Sequence, residues 1–318
     1  MLCFVHHWQG RTFRKLAQFS GAPEHRIWSY DRLFRSAKLP TATWIFTDFD
    51  RLSVWDLELA AHVYRELAQR GMRVLNDPAT ALPRFALLKS LQQRGINRFA
   101  VWRVDEAAAM DRWPVFVRTE AAHRGPLTDL IHTPDGLHQA LEEAITSGHP
   151  VRDLMIVEYC AKPLREGLFR KHAAFRVGER IVNTLSVHDS QWAAKFGQMG
   201  IAGSELYREE LDNIRHNAHA TILMQAFEIA GLEYGRVDYA MVDGQPQIYE
   251  INSNPTIGRA LVHPDPNRIE SSRIAEQLFS EALCAIDSAP GPSVRMMDAT
   301  LAKQRRKDRF RLGSRWAI

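Results

Sequence analysis

Gly235-Arg236-Val237-Asp238-Tyr239-Ala240-Met241-Val242-Asp243-Gly244-Gln245-Pro246-Gln247-Ile248-Tyr249-Glu250-Ile251-Asn252-Ser253-Asn254-Pro255 is the stretch on which the reading of this chain turns. Two strand-like runs flank an Asp243-Gly244 turn. Side chains two apart on a strand share a face, so Glu250 and Asn252 point together. With Asp238 on the first run they make a set of two carboxylates and one amide. Such hard oxygen donors suit Mg²⁺, which keeps positions for water and phosphate oxygens. A plain surface hairpin is the alternative, but two carboxylates on a merely buried face carry a desolvation cost that apolar residues avoid.

The register sets a condition on this reading. A two-residue loop at Asp243-Gly244 places Asp238 opposite Tyr249 and turns Asp238 and Glu250 to opposite faces. A metal set therefore requires an odd-length loop or a bulge. Gly244 in the left-handed conformation of a G1 bulge is the expected source. Pro246, which cannot donate to the ladder, fits a disturbed pairing nearby.

An Asp followed about a dozen residues later by Glu-x-Asn, and then by Pro, resembles the metal-binding end of the ATP-grasp superfamily. D-alanine–D-alanine ligase and glutathione synthetase are members. The resemblance covers roughly residues 75 to 285. It implies an α/β chain with α+β subdomains, an ATP-grasp fold behind an N-terminal doubly wound α/β domain, and ATP with one or two Mg²⁺ as cofactors. The boundaries it implies are 1–84 for the N-terminal domain, 85–158 for a lid subdomain, 159–288 for the subdomain with the metal site, and 289–318 for a basic, weakly ordered tail.

Other nucleotide signatures are absent: neither G-x-x-x-x-G-K-[ST] nor G-x-G-x-x-G occurs. By resemblance, the strand end Glu158-Tyr159-Cys160 borders the adenine and Glu166 holds the ribose. Pro114 to Arg118 resembles the strand that usually ends in a phosphate-binding Lys. Arg118 can grip phosphate there bidentately and with permanent charge. The loop that follows, 119–126, holds one glycine, Gly125, with His123 and Arg124 available in place of backbone donors. Lys89 stands where relatives often carry a Lys ahead of the first subdomain. Without the resemblance, Glu158, Arg118 and Lys89 read as ordinary solvent-facing residues.

Arg170, Lys171, Arg176, His188 and Lys195 cluster in a central hairpin, Phe169 to Val187 with a turn at Gly178-Glu179, and in the loop that leaves it. Alternation sets Arg170, His172 and Arg176 against Lys171 and Phe175, and leaves open which set faces the site. Lys195, Arg176 and Arg259 are the candidate catalytic cations. The implied activity joins a small-molecule or peptide carboxylate to an amine through an acyl-phosphate. A kinase acting on a hydroxyl and a non-catalytic nucleotide-binding protein are the alternatives. Thr47-Asp48-Phe49-Asp50 resembles the nucleophile motif of haloacid-dehalogenase phosphatases, but the residues after it depart from that pattern and Asp is a common post-strand turn residue.

Elsewhere, residues 40–76 read as a β-α-β unit with Ser53 as helix cap and Gly71 as stop. Phe99 to Val104 reads as a strand, and Leu211 to Ala230 as one long helix ended by Gly231. With 318 residues, a net charge of +4 and three cysteines in no disulfide or zinc spacing, the chain reads as a cytoplasmic protein. No apolar run suits a membrane span, and the N-terminus lacks a secretory pattern. Lys303, Arg305, Arg306, Lys307, Arg309 and Arg311 read as a solvated end rather than a nucleic-acid surface.

Overall fold

The computed structural model describes residues 1–7, 10–121, 125–195, 197–258 and 262–308. The chain begins with β1 (Leu2–His6), α1 (Arg11–Arg14), β2 (His25–Ser29), α2 (Tyr30–Arg35), β3 (Lys38–Thr41), β4 (Thr43–Phe46), α3 (Val54–Gln69) and β5 (Val74–Leu75). Four of these strands form a parallel sheet in the order β2-β1-β4-β5. Ser53 caps α3 by accepting the Asp56 N–H, and Gly71 follows the helix at φ 76°, as expected for a cap and a stop. Alternation divides β1 between two cores. Cys3 and Val5 pack with Leu33 and Phe34 of α2 and with Ala60, Val63 and Leu67 of α3. Leu2 and Phe4 face the other way.

Next come α4 (Arg84–Gln93), β6 (Val101–Trp102), β7 (Val115–Thr119), α5 (Pro134–Thr146) and β8 (Leu154–Glu158). The three strands form an antiparallel sheet, β6-β8-β7, with α5 packed on it through Leu137, Leu141 and Ala144. The strand expected over Phe99 to Val104 is confined to Val101–Trp102, because the chain turns into a 3-10 helix at Val104.

The third layer is β9 (Phe169–Val177), β10 (Arg180–Asn183), β11 (Val187–Asp189), α6 (Ser204–His216), α7 (Ala220–Ala230), β12 (Tyr234–Val242) and β13 (Gln245–Asn252). Its antiparallel sheet runs β10-β9-β12-β13, with β11 also on β9. The single long helix expected over Leu211 to Ala230 is two helices, since Asn217 takes the left-handed conformation at φ 49° and ends α6. α8 (Pro266–Ile286) then lies between the parallel sheet and this one. Its Phe279, Leu283 and Ile286 pack with Leu2, Phe4 and Ile45 on one side and with Phe175, Val177 and Tyr234 on the other.

The chain finishes with β14 (Gly291–Arg295) and α9 (Ala299–Asp308). The expectation of a weakly ordered tail fails over these residues. β14 pairs antiparallel with β3, and Met296 and Leu301 enter the core shared by α2 and α3. Glu66 of α3 accepts the N–H groups of Met297 and Asp298, and Asp298 caps α9 by accepting the Leu301 N–H. Residues 309–318, with Arg309 and Arg311, lie outside the described residues. No helix among the described residues is long and apolar enough to cross a membrane.

Candidate active site

The hairpin of β12 and β13 has the two-residue loop, with Asp243 at φ 49° and Gly244 at φ 77° and Val242 paired with Gln245. Gly244 is therefore a turn residue and not the bulge. The irregularity lies further along. Tyr239 pairs with Ile248 and Asp238 with Glu250, which leaves Tyr249 as an extra residue. Pro246 sits in regular register opposite Met241, tolerated because β13 is an edge strand. The bulged Tyr249 is held from outside the ladder: its ring lies 6.0 Å from that of Phe99, and its hydroxyl donates to the Cys160 carbonyl at 2.6 Å.

The bulge brings Asp238 directly opposite Glu250, with Arg236 opposite Asn252 on the same face. Across β9, Asp238 pairs with Ala173, so Lys171, Ala173 and Phe175 share that face. This decides the alternation: Lys171 faces the carboxylates, with Nζ 3.1 Å from Asp238 Oδ2. Arg176 is on the other face, buried, its guanidinium donating to the carbonyls of Gly178 at 2.8 Å and Leu232 at 3.0 Å. It closes backbone rather than joining the site.

Four cations surround the two carboxylates. Arg236 Nε donates to Asp238 Oδ1 at 2.9 Å. Arg84, at the start of α4, donates to Glu250 Oε2, and Arg118, at the end of β7, approaches the same oxygen at 3.7 Å. Lys171 is the fourth. Asn252 Nδ2 donates to Glu250 Oε1 at 3.2 Å. Burial pushes the Glu250 carboxyl up, but Arg84, Arg118, Lys171 and Asn252 outweigh it and hold the group well below the usual carboxylate range. Burial lowers the Arg118 guanidinium to about 10, with the like charge of Arg84 adding to the effect and Glu250 opposing it.

Asp238, Glu250, Asn252, Arg118, Lys171 and Arg236 line one part of a cleft of about 900 Å³ between the β6-β8-β7 sheet and the β9-β12-β13 floor, while Arg84 is buried behind Glu250 and does not line it. Toward the other side it is walled by Leu88, Phe99, Phe116, Val157 and Ala240. No family model matches the sequence, and no curated protein is similar enough to match it. Solved structures do match. The D-alanine–D-alanine ligase of Bacillus anthracis superposes with a TM-score of 0.51 at 13% identity, over 97% of this chain and 99% of that one. The ATP-grasp ligase PsnB, complexed with a phosphomimetic variant of its minimal precursor, Mg and ADP, superposes at 0.53 and 12% identity, over 90% and 96%. PsnB with precursor peptide PsnA2 and AMPPNP gives 0.50 at 11%, over 90% and 96%.

The chain has the ATP-grasp fold.

Within this fold the remaining expected residues divide. Glu158, Tyr159 and Cys160 line the cleft as the connection leaves β8. The Glu158 carboxylate is spent on structure, accepting the Ala100 N–H and an Arg112 N–H, both at 2.8 Å. Burial pushes the Cys160 thiol up to about 11, and the nearby Glu158 adds to this. Lys195 lines the cleft from the loop after β11 and is exposed. Glu166 is exposed on a separate turn and does not line the cleft. Lys89 is turned to Glu106, 2.5 Å away, and does not line it either. Arg259, His123 and Arg124 lie outside the described residues. Asp48 is buried at φ 66°, accepting the His7 N–H and pairing with Arg51 at 2.9 Å, which leaves it unlike an exposed nucleophile.

Sequence reasoning missed two cations, Arg236 and Arg84, and left the facing of a third, Lys171, open. Arg236 was legible, since it lies two residues before Asp238 on the same strand face. Lys171 needed only the facing of β9. Arg84 carried no local signal, because its partner is 166 residues away.

Proposed function

We propose that the chain is an ATP- and magnesium-dependent ligase that joins a carboxylate to an amine. The observation that carries this is the Asp238–Glu250 pair ringed by Arg84, Arg118, Lys171 and Arg236 at the polar part of the cleft. Two negative charges within reach of four positive ones leave an excess suited to a polyphosphate. The apolar walls beside residues 158–160 suit a nucleotide base.

The donor set fits magnesium. Asp238, Glu250 and Asn252 present oxygens on one face, and the Oδ1 of Asn254, which also lines the cleft, is buried without a hydrogen-bond partner. Among the described residues no group of three or more His, Cys, Asp or Glu side chains is placed to hold a metal, so the amides complete the set. What bound magnesium supplies is neutralisation of charge on the γ-phosphoryl group. The chain's own residues position the reactants. Arg118 would turn from Glu250 to phosphate oxygens while Arg84, donating to the Glu120 carbonyl at 2.7 Å, stays to hold Glu250, with Lys171 and Lys195 toward the transferring group. A substrate carboxylate oxygen then bonds to the γ-phosphorus as the bond to the β-phosphate oxygen breaks, releasing ADP. The amine attacks the acyl carbon, the carbon–oxygen bond breaks, phosphate leaves, and the nitrogen loses a proton. Fixed positive charge acts most strongly where the departing oxygens gain charge. PsnB, of the same fold, is solved with a precursor peptide, which keeps peptide carboxylates and amines among the substrates to test.

The test is calorimetric titration with ATP, with and without Mg²⁺, followed by a screen of acids with amines in which ADP, phosphate and product mass are recorded together. Free phosphate that appears only with both substrates supports the ligase. Phosphate retained on a hydroxyl product indicates a kinase, and tight binding without turnover indicates a nucleotide-binding protein. Unchanged Mg²⁺-dependent binding in Asp238→Asn and Glu250→Gln would place the metal elsewhere.

A further inference from the structure

Trp192 lies in the cleft, in the loop between β11 and α6. Its ring centroid is 4.8 Å from that of Phe116 and 5.6 Å from that of Tyr159, the second contact edge-on at 88°. It packs partly buried on the same core as Phe99 and Val157. These are the apolar walls and connecting residue between which, on the nucleotide reading above, the base would lie. An indole is a flat bicyclic ring of about the footprint of a purine, and this one stands tilted at 51° over the Phe116 wall against which a base would lie.

The loop is fastened at its two feet. Gln191 N–H donates to Asp189 Oδ1 at 3.1 Å, and Gln198 N–H donates to the His188 carbonyl at 2.7 Å. Among the described residues between the feet, Trp192 and Ala194 turn inward, while Ala193 and Lys195 are exposed. The indole is thus the large side chain that fixes the loop on the cleft wall, three residues from the cation Lys195.

We propose that Trp192 holds the place of the nucleotide base in the ligand-free chain, and that base binding expels it and releases the loop carrying Lys195. The proposal rests on the nucleotide reading, and it assigns Trp192 a positioning role: the base, and not the phosphates, frees Lys195 to move. A site whose competent state is a minority binds with its intrinsic affinity reduced by that fraction. Removing the indole therefore tightens ATP binding.

The experiment titrates the full chain, Trp192→Phe and Trp192→Ala with MgATP and with magnesium tripolyphosphate, which lacks the base. Binding is read by calorimetry and by tryptophan emission. The expected wild-type result is an emission change with ATP, absent with tripolyphosphate and absent in Trp192→Phe. Trp192→Ala is expected to bind ATP about three- to tenfold more tightly, with tripolyphosphate affinity unchanged. Weaker ATP binding by Trp192→Ala would make the indole a stacking platform and overturn the proposal. So would ATP binding without any Trp192 emission change. If the wild type binds neither ligand, the nucleotide reading itself falls and this one with it.

Discussion

The Tyr249 hydroxyl donates to the carbonyl oxygen of Cys160 at 2.6 Å, so the residue that bulges out of the hairpin also fixes the chain where it leaves β8. The bulge aligns the two carboxylates and the hydroxyl secures the connection beside them. Tyr249→Phe keeps the ring and removes the bond. The expected cost is about 0.5–1.5 kcal/mol in urea denaturation. Amide exchange over residues 159–162 is expected to rise. A variant as stable as the parent, with unchanged exchange there, would show that the bond restrains nothing.

Arg84 and Lys89 lie one and a half turns apart on α4, yet only Arg84 reaches Glu250. Arg84→Ala removes the donor that holds Glu250 and should weaken Mg²⁺-dependent ATP binding by about tenfold or more, the range of a lost contact to a charged group. Lys89→Ala should leave it within about twofold, since an exposed ion pair is worth about 0–1 kcal/mol. Calorimetry on both variants, each checked for folding by circular dichroism, decides between them. The reverse order would mean that Lys89 swings into the cleft when nucleotide binds.

His172 gives a pH dependence. Its ring stacks on Tyr239 at 5.2 Å, and Nδ1 is 3.1 Å from Ser186 Oγ. Burial lowers its pKa to about 3, with the like charges of Arg170, His188 and His219 adding to the effect. Burial likewise lowers His188 to about 4. Between these values and the unfolded value of about 6.5, the unfolded chain binds more protons than the folded one, so stability rises with pH and is lost as pH falls from about 6.5. Each histidine adds about 1.4 kcal/mol per pH unit to that slope. Urea melts of the parent and His172→Gln at pH 7 and 5 should show a smaller loss in the variant. Equal losses would mean that His172 is protonated in the folded chain.

The C-terminal helix supplies a fourth test. Leu301 is 2% exposed in the core with α2 and α3. Leu301→Ala is expected to cost about 2–4 kcal/mol, as for other buried leucines. A change under about 0.5 kcal/mol would show that α9 does not seal this core.

Much of the fold was legible because local chemistry and global structure agree. The Asp243-Gly244 turn, the Ser53 cap and the alternation in β9 each announce themselves within a few residues. The exceptions have physical reasons. Nothing at Tyr249 signals a bulge, since the residue is held by Phe99 and Cys160 from distant segments. Met296 and Leu301 are two isolated apolar residues just ahead of the basic run that starts at Lys303, so the charge that follows concealed their part in the core. Asn217 divides α6 from α7 where apolar content alone runs on. At the site, Asp238, Glu250 and Asn252 were legible as a set, and so was their need for a register shift. Arg176 was misplaced because alternation gives two faces and no origin. Arg84 depends on a contact that only the folded chain creates.

α8 has a mechanical consequence. Seated against Phe4 and Ile45 on one side and Phe175 and Tyr234 on the other, it makes two sheets into a single block. The Asp48 N–H, donating to Ser253 Oγ at 3.0 Å, adds a rivet one residue past Asn252. The block acts as an anvil: the carboxylates and the ends of β1 and β4 keep their spacing under load. Across from it, Arg118 at the end of β7 ties the β6-β8-β7 layer to Glu250 at 3.7 Å, the contact that any movement of that layer has to break.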